Sequence, residues 1–333
     1  MGAGINRNFT INRHRPLIIT VIGLVILNLV WWAIKFNPFQ EQNWKAELLE
    51  LDTKQDSSIL VPIRNYQNIV IQQVIYFNSF FTLIDSLALS SELPSDLGVS
   101  KDLIIVSSNP WILDSLRRTD YREAALRGKF IDDLNKEPII PAGATIRIPD
   151  SLQASLLAAE LLSTRLVLNI PEFRLRLIRG ADTILNCPVR VGRNEQVYLE
   201  AVGQTVDLRT PVGKGRIHRV WRTPKSVNLH TGEEYIFTRR DDNRVTKMPP
   251  IPSLEPEINH RRNGKMIHAT TNPVTLGKAF SHGCVGVSEA DMWTIYFNMP
   301  VGAAVEFRYD LESGGKKWRD IYGRSRLKSG SAD

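Results

Sequence analysis

The 333-residue sequence predicts a mainly β domain in its C-terminal half, preceded by a small α/β region and by one N-terminal transmembrane helix. Three observations support this fold class. A long apolar run lies near the N-terminus, the next hundred residues mix helical and strand-like apolar spacing, and short apolar segments separated by glycine and proline turns follow residue 164. The hydrophobic fraction of 43% and the charged fraction of 23% are ordinary for a folded chain.

The N-terminal apolar run extends from Pro16 to Ile34 and is long enough, as a helix, to cross the hydrocarbon core of a bilayer. Three arginines precede it, and the first acidic residue of the chain is Glu41. The positive-inside rule therefore predicts a cytoplasmic basic tail at residues 1–15 and a single-pass membrane anchor at 16–36.

A cleaved signal peptide is the competing interpretation of this segment, and it requires small residues at the cleavage site. Trp31 and Trp32 stand there instead and are typical of the interfacial aromatic belt of a membrane helix. We therefore expect an uncleaved anchor in the inner, cytoplasmic membrane. The folded part of the chain would then lie in the periplasm or otherwise outside the cytoplasm.

The formal net charge of +7 and the pI of about 9.4 raise the question of nucleic-acid binding. Lysines and arginines are spread along the chain with acidic residues between them, so no basic stripe is evident. A basic surface that faces anionic glycan or lipid accounts for the charge equally well. We do not expect a nucleic-acid partner.

Residues 37–163 form the predicted membrane-proximal region. Within it, the phrase from Ile140 to Pro149 resembles the end of a LysM-type glycan-binding module, which would cover 101–150. An ordinary α/β spacer explains the same residues equally well. The apolar spacing of Ser151–Ser163 predicts a connecting helix.

The predicted β domain covers 164–310, and a basic tail follows at 311–333. The most informative residues in this domain are His268 and the run Ser281-His282-Gly283-Cys284. A histidine and a cysteine at this spacing allow a metal site, a nucleophile with its base, or a coincidence. Metal is disfavoured because no second cysteine or acidic ligand lies at the usual spacing.

Nucleophilic chemistry explains the motif best. A thiol is a strong nucleophile only as the thiolate, so it needs an imidazole within hydrogen-bond reach. A glycine before the cysteine lets the backbone approach a substrate and present an N–H to a developing oxyanion. The other cysteine, Cys187, lies in a predicted strand and is interpreted as a small buried apolar residue, so we expect both thiols to be reduced.

These residues resemble the YkuD-type L,D-transpeptidases, whose signature is a histidine followed, a dozen or so residues later, by Ser/Thr-His-Gly-Cys. The resemblance extends to the turn Thr210-Pro211-Val212-Gly213 and covers about Arg165–Tyr309. It implies a β-sandwich catalytic domain without a metal or organic cofactor, acting on peptidoglycan stem peptides.

The resemblance also implies individual roles. Cys284 would attack the carbonyl of the third residue of a tetrapeptide stem and expel the terminal D-alanine, and His268 would act as the base. The amine of a second stem would then resolve the acyl-enzyme and leave a 3→3 cross-link. Backbone N–H groups of Gly283 and Cys284 would form the oxyanion hole, while Ser281 and His282 would shape the site.

Two departures from the family pattern affect these expectations. Ala269 stands where the family usually has glycine, and Gly286 stands where it usually has arginine or asparagine. The latter side chain is thought to orient a substrate carboxylate, so its absence puts donor specificity in question. An arginine from elsewhere could substitute, and the candidates are Arg239, Arg240, Arg261 and Arg262. A solvated charge cluster is the favoured interpretation of these four residues.

The stretch Trp221–Lys265 is rich in charge and proline, and we interpret it as an insertion that covers the active site. Two alternatives to the transpeptidase stay open. With water as acceptor, the same fold would be an L,D-carboxypeptidase or an endopeptidase. With turnover lost, it would be a peptidoglycan-binding scaffold of an envelope complex; Gly286 favours this alternative, and the intact Cys284 and His268 argue against it.

Overall fold

The computed structural model describes residues 66–200, 203–228, 231–313 and 316–317. No helix in these ranges is long and apolar enough to cross a membrane. The predicted basic tail at 1–15 and the predicted anchor at 16–36 lie outside the described residues, as does most of the predicted tail at 311–333.

The first part of the described chain is α/β, as the sequence predicts. Its elements, in chain order, are β1 (Tyr66–Val70), β2 (Ile75–Tyr76), α1 (Phe77–Ser90), α2 (Lys101–Ser107), α3 (Pro110–Arg117), α4 (Tyr121–Leu126), a 3-10 turn (Leu134–Lys136), β3 (Pro138–Ile140), β4 (Thr145–Pro149) and α5 (Ser151–Leu162). The predicted connecting helix is α5. It begins at Asp150, whose carboxylate accepts the backbone N–H of Gln153 at 2.8 Å.

Strand pairing connects residues 101–150 to the strands that precede them in the chain. β4 pairs antiparallel with β1, and β3 pairs antiparallel with β2. Both partner strands lie upstream of residue 101, so the strand pairings of residues 101–150 extend to residues 66–76. The LysM-type module at 101–150 stays a prediction. Glycan binding by this region stays a prediction.

The second part of the chain is mostly strands. Its elements are β5 (Thr164–Asn169), β6 (Arg174–Arg179), β7 (Asp182–Pro188), β8 (Val191–Gly192), β9 (Gln196–Leu199), β10 (Gln204–Asp207), β11 (Gly213–Trp221), β12 (Phe237–Arg239), β13 (Val245–Lys247), β14 (Ser253–Ile258), β15 (Arg261–Arg262), β16 (Ile267–Ala269), a 3-10 turn (Pro273–Thr275), β17 (Ala279–Ser281), β18 (Val285–Val287), α6 (Glu289–Asn298), β19 (Ala304–Arg308), β20 (Glu312–Ser313) and β21 (Lys316–Lys317).

Nine of these strands form one mixed sheet in the order β18-β16-β14-β11-β19-β5-β6-β7, with β15 paired to β14. The pairs β16–β18 and β19–β5 are parallel and the others are antiparallel. Strand β5 lies inside the sheet, between β19 and β6, and its residues Leu166, Val167 and Leu168 are fully buried. This continuous apolar run is typical of a strand that is covered on both faces.

The two ends of this sheet meet. Arg190, just after β7, donates its N–H to the carbonyl of Gly286 in β18 at 2.9 Å, and the N–H of Gly286 donates back to the carbonyl of Arg190 at 3.0 Å. The bridge joins the last strand to the first, which gives the sheet a barrel-like closure. The predicted mainly β domain is therefore confirmed. The seam of the sheet, meaning the bridge between Arg190 and Gly286, lies two residues from Cys284.

The structure shortens the insertion that the sequence predicts at Trp221–Lys265. β14 belongs to the interior of the main sheet, although the prolines around it indicate a loop. Pro256 is tolerated there because β11 changes register between Ile217 and Arg219, opposite the proline. The part outside the sheet is centred on the hairpin β12–β13.

The N-terminal helices pack on α6, the helix that follows the catalytic motif. Trp293 is fully buried and meets Phe77 edge-on, with ring centroids 5.6 Å apart. The helix starts also cap each other across this contact. Asp120 accepts the N–H of Ala290 at 3.0 Å, and Glu289 accepts the N–H of Tyr121 at 3.0 Å.

Candidate active site

Cys284 lies in the short connection between β17 and β18. The parallel pairing of β16 with β18 sets His268 opposite Gly286, two residues beyond the cysteine. The backbone N–H of Met266 approaches the Cys284 sulfur at 3.3 Å. Adjacent strands therefore bring together the thiol and the imidazole that the sequence singles out.

The hydrogen bond of His268 determines its tautomer. Nδ1 lies 2.7 Å from the carbonyl oxygen of Ala269, and because a carbonyl only accepts, Nδ1 carries the proton. The other nitrogen, Nε2, is then the basic one. Alanine in place of the family's glycine at 269 does not disturb this hydrogen bond, because the acceptor is the backbone carbonyl of that residue.

Burial, together with the positive charge of Arg190, lowers the pKa of His268 to about 4, although the hydrogen bond to the Ala269 carbonyl opposes this shift. The imidazole is therefore neutral at pH 7 and is able to accept a proton. Burial raises the pKa of the Cys284 thiol, whereas the Met266 N–H and the charges of Arg190 and Lys265 lower it. The thiol and the imidazole are therefore both neutral at rest, and the thiol would need a proton acceptor in order to react as a thiolate.

Ser281 organises the turn before the nucleophile. Its hydroxyl donates to the carbonyl of Cys284 at 2.6 Å and accepts the N–H of Gly283 at 3.2 Å. Gly283 has φ of 109°, and a Cβ on it would lie 2.6 Å from the side chain of Lys265. Both observations explain why this position is a glycine. The N–H predicted for the oxyanion hole is thus engaged by Ser281 in this structure.

Thr210 of the Thr-Pro-Val-Gly turn supports the same loop from below. Its hydroxyl accepts the N–H of Gly192 at 2.9 Å and donates to the carbonyl of Gly283 at 3.1 Å. The backbones are in close contact here, because a Cβ on Gly192 would lie 2.8 Å from the Cα of Gly283. The side chain of Thr210 is buried, so its hydroxyl satisfies polar groups that water does not reach.

His282 contacts a basic side chain at the edge of the site. Nη2 of Arg193 lies 3.4 Å from Nε2 of His282, and the backbone N–H of Arg193 donates to the carbonyl of Ser281 at 3.1 Å. Arg193 also pairs with Glu195 at 3.4 Å. This arrangement supports the loop and gives His282 a role in its shape.

The family match agrees with the motif. The YkuD family, described as the L,D-transpeptidase catalytic domain, matches residues 163–307. Residues 163–307 form a YkuD catalytic domain. Solved structures are similar to the chain at low identity, and no curated protein matches it.

Three of these solved structures have TM-scores of 0.31. An L,D-transpeptidase from Xylanimonas cellulosilytica is 13% identical over 61% of this chain and 92% of that one. An L,D-transpeptidase from Mycobacterium smegmatis is 13% identical over 51% of this chain and 64% of that one. The L,D-transpeptidase LdtMt1, solved with imipenem, is 14% identical over 50% and 63%, so the chain spans less than two thirds of it. The assignment rests on the family match and the site residues.

The YkuD domain has a lysine that the sequence analysis missed. The amine of Lys265 donates to the carbonyls of Asp207 at 2.7 Å and Arg209 at 2.5 Å, and its side chain lies over Gly283. It ties the loop before Thr210 to the nucleophile turn and adds positive charge near Cys284. Its position one residue before Met266 carries no sequence signal for this role.

None of the four candidate arginines takes the place of the missing side chain at 286. Arg240 is buried in an ion pair with Glu289. Arg239, Arg261 and Arg262 are exposed on β12 and β15. The arginine at the seam is Arg190, and only the closure of the sheet reveals it.

The hairpin β12–β13 lies against the segment that links His268 to Ser281. The hydroxyls of Thr238 and Thr271 are 3.0 Å apart, and the carboxylate of Asp241 accepts the N–H of Val274 at 2.7 Å. The predicted covering insertion therefore contacts the site through this shorter hairpin.

Proposed function

We propose that this chain is a peptidoglycan L,D-transpeptidase that forms 3→3 cross-links through a thioester on Cys284. The observation that carries the proposal is the pairing of β16 with β18, which sets His268 opposite Gly286, two residues beyond Cys284, with Nδ1 of His268 held by the carbonyl of Ala269. That geometry leaves Nε2 as the base. Membership of residues 163–307 in the YkuD family supports the same reaction class.

In the first step, the sulfur of Cys284 attacks the carbonyl of the third residue of a tetrapeptide stem while Nε2 of His268 takes the thiol proton. A tetrahedral oxyanion forms. Its collapse breaks the bond to the terminal D-alanine, and the departing amine takes the proton from His268. The thioester and free D-alanine are the products.

In the second step, a side-chain amine of another stem attacks the thioester, and His268 accepts its proton. Collapse of the intermediate breaks the carbon–sulfur bond and returns the proton to Cys284. Water in place of the amine would give a tripeptide instead of a cross-link. Nε2 of His268 accepts a proton in both steps, and the low pKa of His268 keeps this nitrogen deprotonated at neutral pH before each step.

The oxyanion would be stabilised by the backbone N–H groups of Gly283 and Cys284. The Gly283 N–H donates to the Ser281 hydroxyl in the resting site. An anionic oxygen is the stronger acceptor, so we propose that this N–H shifts from Ser281 to the oxyanion as charge develops.

We further propose that the enzyme works outside the cytoplasm, held by residues 16–36 as a single-pass anchor in the inner membrane. The apolar run and the three arginines before it support this topology. An L,D-transpeptidase acting on peptidoglycan would then face its substrate.

The full-length chain, purified in mild detergent, should be incubated with disaccharide-tetrapeptide and the products weighed by mass spectrometry. We expect a dimer that lacks one D-alanine, absent with the Cys284→Ala variant. Tripeptide alone would replace the transpeptidase with a carboxypeptidase. No product, together with no acylation of Cys284 by a carbapenem, would overturn both enzymatic functions.

A further inference from the structure

We infer that Arg190 is a specificity-determining residue that binds a carboxylate of the donor stem peptide beside Cys284. The inference rests on the proposed function for the identity of the donor. Binding of a carboxylate by Arg190 depends on the site itself, so it can be tested without catalytic turnover.

The seam of the sheet holds Arg190 in place. Its backbone exchanges two hydrogen bonds with Gly286, at 2.9 and 3.0 Å. A Cβ on Gly286 would lie 2.5 Å from Nε and 2.7 Å from Cγ of Arg190. The arginine side chain therefore runs across the α-carbon of Gly286, and only glycine leaves room for it.

The guanidinium of Arg190 lies close to the reacting groups. Its charge lowers the pKa of both Cys284 and His268. Burial lowers the pKa of Arg190 itself, while Cys284 and Tyr235 oppose that shift. The side chain of Arg190 also crosses Gly286, which pairs with His268 and lies two residues beyond Cys284, so it is within reach of a group attached to the scissile bond.

Arg190 also has unused hydrogen-bonding capacity. Its Nε is buried and has no hydrogen-bond partner, and within the described ranges no carboxylate forms an ion pair with it. A half-buried guanidinium whose Nε is inaccessible to water and has no anion is unfavourable, and a planar carboxylate is the group that its fork of donors fits.

The neighbouring cations are already occupied. Lys265 donates to two backbone carbonyls, and Arg193 pairs with Glu195. The Nε of Arg193 is also without a hydrogen-bond partner, but Arg193 has its ion pair with Glu195, whereas Arg190 has none within the described ranges and is available to an anionic substrate group. That carboxylate belongs either to the terminal residue of the donor or to the side chain of its third residue.

The first experiment compares alkylation of Cys284 by iodoacetate, which carries a carboxylate, and by iodoacetamide, which does not. In both reactions the sulfur–carbon bond forms as iodide leaves, so the ratio of the two rates cancels changes in thiol reactivity. We expect Arg190→Gln to lower the iodoacetate-to-iodoacetamide ratio about tenfold. Gly286→Ala should do the same by displacing the side chain. Arg193→Gln is the matched control and should change the ratio much less.

The second experiment measures kcat/KM of the full-length enzyme for three tetrapeptide donors: free acid, terminal amide, and amide at the third side chain. Arg190→Gln should reduce kcat/KM about 10- to 100-fold for donors that keep the recognised carboxylate and have little effect on the donor that lacks it. The insensitive donor identifies which carboxylate binds. Arg190→Lys should retain part of the discrimination, because it keeps the charge and loses the fork.

An unchanged alkylation ratio, or an equal loss for all three donors, would overturn the inference and leave Arg190 a structural residue. If no donor reacts with wild-type enzyme but the ratio still depends on Arg190, the proposed function falls while the carboxylate site stands.

Discussion

Arg240 forms a buried ion pair with Glu289, and the pair joins the insertion hairpin to the helix that follows the catalytic turn. The two side chains are 4% and 5% exposed. Arg240 also donates from Nε to the hydroxyl of Thr246 at 2.8 Å, and its guanidinium lies 4.4 Å from the ring centroid of Tyr121. Three parts of the chain therefore meet at one ion pair: the N-terminal helices, the hairpin and α6.

Removing one partner of this pair is expected to destabilise the fold strongly. Arg240→Ala leaves the carboxylate of Glu289 buried without its cation, so the free energy of unfolding should fall by about 3–5 kcal/mol. Urea unfolding followed by circular dichroism measures the change. Arg239→Ala is the matched control: that side chain is exposed, and the expected change is within about 0.5 kcal/mol. Equal effects of the two variants would show that the pair contributes no special stability.

Thr210 should control the position of the nucleophile turn. Thr210→Val keeps the shape of the side chain and removes both hydrogen bonds, to Gly192 and to Gly283. We expect a loss of about 1–3 kcal/mol in unfolding free energy, together with slower acylation of Cys284 by a carbapenem. Thr210→Ser retains the hydroxyl and should recover most of the acylation rate. Acylation by the valine variant at the wild-type rate would contradict this role.

The rate at which a carbapenem acylates Cys284 should fall at low pH only near the low pKa of His268. Burial and Arg190 favour the neutral imidazole, so protonation removes the base only as pH falls through about 4. The rate at pH 5.5 should therefore retain this base, whereas an ordinary histidine would be mostly protonated there. Stopped-flow acylation over a pH series measures this fall. A midpoint near 6.5 would show that the imidazole is less buried in solution.

The two thiols should differ in reactivity. Burial raises the pKa of Cys187 strongly, and the side chain is 2% exposed. Cys284 is partly exposed, and its elevated pKa is opposed by two cations and a backbone N–H. Iodoacetamide on the native protein should add one label, lost in Cys284→Ala and retained in Cys187→Ala, as counted by intact mass. Labelling of Cys187 at a comparable rate would contradict the assignment of that residue to the core.

Sequence alone is enough to predict cysteine chemistry, because the candidate reacting groups lie within one short stretch; the chemistry itself stays a prediction. His268 and the run from Ser281 to Cys284 are separated by twelve residues, and each residue type has a distinct chemical use. The turn at Thr210 was recognised from the family resemblance, and the mainly β domain and the helix α5 from local apolar spacing. The oxyanion hole and the membrane anchor stay predictions.

Other features depended on contacts between distant parts of the chain. The register of the closing strands, about a hundred residues apart, decides that Arg190 and not one of the four candidate arginines lies beside Cys284. A change of register in β11 decides that a proline-containing segment is a strand in the sheet. Local composition determines which chemistry a segment can perform, because side-chain type is written in the sequence. Which side chains share a site is decided by strand pairing, because hydrogen-bond register is a property of two segments together.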